Sequence, residues 1–217
     1  MNRADTRERL LDAAERLFAH HGIGATSLRG ITAEAGTNLA SIHYHFGSKE
    51  ALIHGVFARR LEPLNRERLR LLDAAEATAG DAPPPLESII EAFVAPALRL
   101  RQDPAHSGQN FMCLVGRIYS EPIESTHTIL EQFDEVFRRF TAVLHRALPH
   151  LSKPELLWKF FFTIGCMVFP LVGTEIIRHR TGGLCDPDDV EGTIRRLVSF
   201  ISAGMMAPVS DRIGETP

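Results

Sequence analysis

Residues 26–52, TSLRGITAEAGTNLASIHYHFGSKEAL, decide how this chain is read. Ser27 is a good N-cap for a short helix that stops at Gly36. Asn38 caps a second short helix closed by Gly47, and Ser48 caps a third, longer one. Two short helices about a tight glycine turn form a helix-turn-helix. In the second helix Leu39, Ile42 and Phe46 fall at i, i+3, i+7 and are expected to pack as one face. The other surface carries Ala40, Ser41, His43, Tyr44 and His45. These are small or hydrogen-bonding groups, suited to a DNA major groove and its phosphate rims. Thr37 and Asn38 stand at the helix N-terminus, whose backbone N–H groups attract phosphate.

Working outward, Leu10, Leu11, Ala14, Leu17 and Phe18 recur at helical spacing, with Asp5 or Thr6 as cap and Gly22 as stop. Downstream, a long helix over about 49–75 contains Pro63, which predicts a kink. Residues 78–85 read as a linker. Further helices are expected from Leu86, with Pro96 inside, then over 111–120, 122–147, 154–180 and 187–206, with 103–108 a loop. Ser152, Pro154 and Glu155 make a strong helix start. The reading is all-α, about nine helices. Residues 1–52 form the helix-turn-helix domain and 53–217 a helical bundle for ligand binding and dimerisation.

Composition fits this reading. Of 217 residues, 44% are hydrophobic and 24% charged, as in an ordinary globular protein. Cys113, Cys166 and Cys185 are odd in number and widely spaced, without zinc-ligand spacing, so no metal, cofactor or disulfide framework is expected. The charged start has no apolar h-region, which predicts no signal peptide and a cytoplasmic protein. The apolar run 160–173 is shorter than the ~20 residues of a membrane span, so no membrane contact is expected. Net charge is −3, yet residues 1–60 carry eight Lys or Arg against six Asp or Glu and five of the ten histidines. A locally basic N-terminal segment is what nucleic-acid contact needs.

The stretch resembles the DNA-binding signature of the TetR family of bacterial regulators. The matching residues are Thr26, Ile31, Ala35-Gly36, Tyr44, His45-Phe46, Lys49-Glu50 and Leu52, within a likeness that covers residues 6–57. The resemblance implies groove contacts from Arg29, Thr37, Asn38, Ala40, Ser41 and His43. It implies phosphate contacts from Ser27, Tyr44, His45 and Lys49. Two positions depart from the family pattern, which commonly has Val where Thr37 stands and Tyr where His43 stands. The segments FGSKEALIHGVFARRLEP, FMCLVGRIYSEP, VFRRF, PHLSKPELLWKFFFTIG and LVSFISAGM resemble the fatty-acid-responsive, β-oxidation-type branch. That likeness implies a repressor released from a palindromic operator in double-stranded DNA by a small apolar effector, a fatty acid or acyl-CoA.

Phe111, Met112, Val115, Phe133, Phe137, Phe161, Phe162, Cys166 and Phe169 read either as plain core or as the lining of an apolar cavity. Arg117, Tyr119 and His127 are possible polar anchors. The last two long helices are apolar over most of their circumference and must be buried on several sides. The resemblance implies a two-fold homodimer through them. His43 and His45, two apart on a helix, do not face one another as metal ligands would. An enzyme on isoprenoid or acyl substrates would want DDxxD or GxSxG, and neither occurs. The alternative is a non-catalytic lipid- or acyl-binding helical protein without regulatory DNA binding, which has no need of the 26–52 constellation.

Overall fold

The computed structural model describes residues 3–102, 108–118 and 123–208, giving the backbone alone at 3, 108–110, 112, 117 and 123–126. The described residues form eleven α-helices and no strand: α1 (Arg3–His21), α2 (Leu28–Glu34), α3 (Leu39–His45), α4 (Lys49–Ala79), α5 (Leu86–Leu100), α6 (Gly108–Ile118), α7 (Ile123–Leu130), α8 (Asp134–Ala147), α9 (Lys153–Val172), α10 (Thr174–Arg180) and α11 (Val190–Met206), with a 3-10 turn at Glu131–Phe133. They fall into two compact units, residues 1–67 with 99–136, and residues 68–98 with 137–217.

The two helices beyond the expected nine come from two breaks. The 3-10 turn interrupts the predicted 122–147 helix. The predicted 154–180 helix breaks at Gly173, which closes α9 through its N–H on the Phe169 carbonyl and opens α10. Pro170 stands just upstream, where its missing N–H removes one ladder bond. In α4, by contrast, the helix continues through Pro63 to Ala79, four residues beyond its expected end. α1 begins at Arg3, so Asp5 lies in its first turn rather than capping it.

In the first unit Leu10, Leu11, Phe18, Ile31, Ile42, Leu52 and Phe57 are fully buried, each contributing about 1.5–3 kcal/mol. α1 ends at Gly22, whose φ of +90° lets its N–H close on the Phe18 carbonyl. α6 lies against α1. In the second unit Phe93 packs its ring on Phe140 and Phe160, with centroids 5.2 and 5.1 Å apart. The Arg68 guanidinium is buried among them, 4.5 Å over the Phe93 ring, with Nε donating to the Phe93 carbonyl at 2.9 Å. Stacking on a ring face and a carbonyl acceptor offset part of the cost of desolvating that cation.

α9 shows two faces. Leu156, Phe160, Thr163, Met167 and Leu171 are buried at four- and three-residue intervals. Trp158, Phe161, Phe162 and Phe169 are between 52% and 62% exposed on the other side. Among the described residues α9 is the one helix long and apolar enough to cross a bilayer by length and composition. The helix extends back to Lys153, beyond the apolar run 160–173 from which no membrane contact was expected.

Candidate nucleic-acid interface

α2 and α3 are held by local bonds that the sequence foretells. The Ser27 hydroxyl accepts from the Gly30 N–H at 3.1 Å. Asn38 Oδ1 accepts from the Ser41 N–H at 3.1 Å and from the Ser41 hydroxyl at 3.2 Å. Such caps contribute ~1 kcal/mol each. Between them Gly36 adopts φ +60°. A side chain there would be strained, and its Cβ would come within 2.9 Å of an Arg9 guanidinium nitrogen.

That contact leads to residues that sequence reasoning missed. Arg9 Nη2 on α1 donates to the Ala35 carbonyl and to the Gly36 carbonyl, the latter at 3.2 Å, pinning the turn between α2 and α3. Arg16 pairs with Glu34 at the end of α2, 3.1 Å away. Gly55 on α4 lies against the Phe46 ring and Leu11, where a Cβ would stand 3.4 and 3.3 Å from their side chains. Phe46 also carries the Arg7 guanidinium 5.5 Å from its centroid. A buried ion network joins α1 to α4: Glu15 is 2% exposed and accepts from Arg60 at 3.1 Å and from Arg59, which also reaches Asp12 at 2.6 Å. Burial alone would lower the Arg59 pKa, but hydrogen bonds to Glu15 and Asp12 more than offset it and hold the guanidinium above its ordinary value. All these contacts join residues far apart in sequence, so no local pattern could reveal them.

The frame presents one surface of α3. Ala40, His43 and Tyr44 are exposed, Tyr44 at 62%, and Ser41 and His45 are half-buried. The Tyr44 and His45 rings meet edge to face at 5.0 Å. His43 Nδ1 is 3.2 Å from the Gly47 carbonyl, which orients its ring. Ser27 and Arg29 are exposed at the start of α2. The expected packing face is only partly inward: Ile42 is fully buried and Phe46 half-buried, but Leu39 is 38% exposed. A seven-residue helix against two neighbours covers little more than one turn of its inner side.

Of the expected DNA contacts, two carry other duties and a third is buried. The Lys49 ammonium donates to the Ile23 carbonyl at 2.8 Å. Asn38 spends its oxygen on the cap. The Thr37 hydroxyl points inward, shut from solvent with no hydrogen-bond partner among the described residues, so contact with DNA through that oxygen does not fit its burial.

The expected effector-lining residues separate. Phe111 (buried), Val115 and Phe133 (both half-buried) belong to the first unit; Phe111 and Val115 lie on α6, and Phe133 lies in a turn tied to α4 by Asn65 donating to the Gln132 carbonyl at 2.8 Å. Phe137, half-buried in the second unit, meets Phe160 and Phe161 at 5.6 and 6.0 Å. Cys166 is half-buried. Phe161, Phe162 and Phe169 were expected to line a cavity and instead lie on the outward face of α9. An all-round apolar helix does not reveal by its own sequence which side its neighbours cover. His127 is exposed and 3.3 Å from Glu131. Tyr119 and the side chains of Met112 and Arg117 lie outside the described residues. Among the described residues no three His, Cys, Asp or Glu side chains are grouped to hold a metal.

Comparison with known proteins points the same way as the geometry. The family model described as bacterial regulatory proteins, tetR family, matches residues 10–56, and that of the tetracyclin repressor-like C-terminal domain matches 91–204. The chain is 38% identical over 72 residues to the HTH-type nicotine-responsive transcriptional repressor HdnoR of Paenarthrobacter nicotinovorans, covering 33% of this chain and 37% of that protein. It is 34% identical over 92 residues to the HTH-type transcriptional repressor KstR2 of Mycolicibacterium smegmatis, covering 42% of each. These matches therefore span well under half the length of either relative. Among solved structures, the fatty acid degradation regulator FadR from Bacillus halodurans superposes with a TM-score of 0.60 at 13% identity, over 94% of this chain and 97% of that one. The SmeT–triclosan complex superposes at 0.62 and 18% identity, over 98% and 99%. At such identities the likeness is one of fold.

Proposed function

This chain belongs to the tetR family of bacterial regulatory proteins, and we propose that it is a cytoplasmic transcriptional repressor that binds a palindromic operator in double-stranded DNA as a homodimer and leaves it when a small apolar effector binds. The observation that carries this reading is the exposed Ala40–His43–Tyr44 surface of α3, held in place by Arg9, Phe46 and two side-chain caps. Small groups at 40 and 41 let the helix backbone approach base edges. Tyr44, His45 and Ser27 suit the phosphates, with Arg29 and His43 toward the bases. Residues 1–52 form the DNA-reading head and 53–217 serve effector binding and pairing.

Pairing is supported by the outward face of α9. Large aromatic side chains in one exposed ribbon mark an interaction surface, and a second copy offers the same ribbon in return. Two heads would then read half-sites about one helical turn, ~34 Å, apart or a multiple of it. Effector response is supported by α6, which carries Phe111 and Val115 and packs on α1 of the head. A ligand that touches α6 differently in two states shifts the equilibrium by its differential affinity. Fatty acid or acyl-CoA remains the effector class we favour, on the resemblance of the C-terminal segments.

Fluorescence anisotropy of labelled DNA from the gene's own upstream region tests this, at two salt concentrations and then with a long-chain fatty acid and an acyl-CoA added. Selective, salt-sensitive binding that an acyl ligand reverses is the expected result. Selective binding that no acyl compound perturbs would keep the repressor and remove the effector class. Binding that is equal on all sequences would overturn the operator reading.

A further inference from the structure

α3 carries two histidines in different situations. The His45 ring is half-buried and lies against its neighbours, 5.0 Å from the Tyr44 ring and 6.3 Å from the Phe46 ring. His43 is exposed, and its ring is held by the backbone instead. Residues 43 and 47 are joined twice. The Gly47 N–H donates to the His43 carbonyl at 3.1 Å, and His43 Nδ1 lies 3.2 Å from the Gly47 carbonyl. The end of α3 itself thus sets the direction of the ring.

That contact also fixes where the ring's proton sits. A carbonyl oxygen only accepts, so Nδ1 donates. In the neutral ring the single proton is therefore on Nδ1, and Nε2 is left with its lone pair as an acceptor alone. The two nitrogens stand on opposite sides of the five-membered ring. With Nδ1 turned to the Gly47 carbonyl, Nε2 faces away from the end of the helix. Ala40, one turn earlier and also exposed, is too small to screen it.

We propose that His43 sets an operator preference by accepting, at Nε2, a hydrogen bond from the exocyclic amino group of adenine or cytosine. In the major groove those amino groups are the base donors. Guanine shows N7 and O6 there and thymine shows O4, all acceptors. A side chain that only accepts favours a base pair whose amino group faces it and disfavours one that turns an acceptor toward it. The opposite tautomer, donating at Nε2, would favour the guanine and thymine oxygens. The Gly47 carbonyl therefore decides which half of the base code residue 43 reads. This inference rests on α3 being the DNA-reading helix, as proposed above, and adds the chemical group that the helix selects at one position.

The test uses the full chain at about pH 8, where a histidine is ordinarily neutral. Binding-site selection from random-sequence DNA, with the wild type and with His43→Ala, identifies the base pair whose preference depends on residue 43. That pair is then altered in synthetic duplexes. One duplex lacks the amino group, with purine in place of adenine or 2-pyrimidinone in place of cytosine. Another keeps the amino group and replaces the purine N7 by carbon. Deleting the amino group should weaken wild-type binding about fivefold, the loss of one neutral hydrogen bond, and removing N7 should change nothing. His43→Ala, altered only at an exposed position, should be indifferent to both. Weakening by the loss of N7 instead, no effect of the missing amino group, or selection of the same sites by both proteins would overturn the proposal and leave the operator reading standing. Enrichment of no sequence by the wild type would remove the operator reading, and this inference with it.

Discussion

The DNA-reading head and helix α9 put their apolar residues to opposite ends. In the head, Leu10, Phe18, Ile31 and Ile42 all turn inward, and the starts of α2, α3 and α4 are capped by the side chains of Ser27, Asn38 and Ser48. α9 buries one face and holds Trp158, Phe161, Phe162 and Phe169 out to solvent. The head's apolar surface is satisfied within one chain. The outer face of α9 is not, and that difference is what supports the proposed pairing of two copies there.

The contrast can be broken first at the ion network that seats the head. Glu15→Ala leaves Arg60, itself nine-tenths buried, without its carboxylate. The expected loss is about 3–5 kcal/mol of stability, read by urea denaturation. A change within 1 kcal/mol would mean that α1 and α4 do not depend on the pair. Next comes the face of α9. Trp158→Glu places a charge in the proposed self-contact and should raise the dimer dissociation constant by at least ~100-fold in sedimentation equilibrium, with the helix content preserved. An unchanged dimer would move the pairing surface elsewhere.

Smaller effects sharpen the head itself. Tyr44→Ala, on an exposed side chain, should weaken operator and unrelated DNA alike by about tenfold, with an unchanged salt dependence because the phenol carries no charge, and no loss of thermal stability. A loss confined to the operator would make Tyr44 a base reader. Last, Thr37→Val replaces a buried, unpartnered hydroxyl by a methyl of the same shape. It should stabilise the protein by about 1 kcal/mol and leave the operator preference unchanged in a binding-site selection. A changed preference would show that the Thr37 side chain reads DNA after all.

Much of the head was legible because its signals are local. Ser27, Asn38 and Gly36 lie within one or two turns of the groups they serve, and the alternation of buried and exposed positions in α1 follows from spacing alone. What escaped were the contacts between distant residues: Arg9 on the Gly36 carbonyl, Glu15 with Arg59 and Arg60, and Arg68 over Phe93. Thr37 turned inward because a turn held from α1 decides the direction of its side chain. In α9 the apolar residues run all round, so periodicity shows a helix without showing its inner side. That is why Phe161, Phe162 and Phe169, read as core or as cavity lining, lie on the outer side.

α4 runs for 31 residues without a break in helix assignment, a rod of roughly 46 Å. From Pro63 to Lys49 is roughly 21 Å of that length. A bend of roughly 10° at the proline, where one ladder bond is missing, swings the Lys49 end by about 4 Å, close to the ~3.4 Å rise of one base pair. Leverage of this order turns a small angular change into a misalignment of a whole step along the double helix.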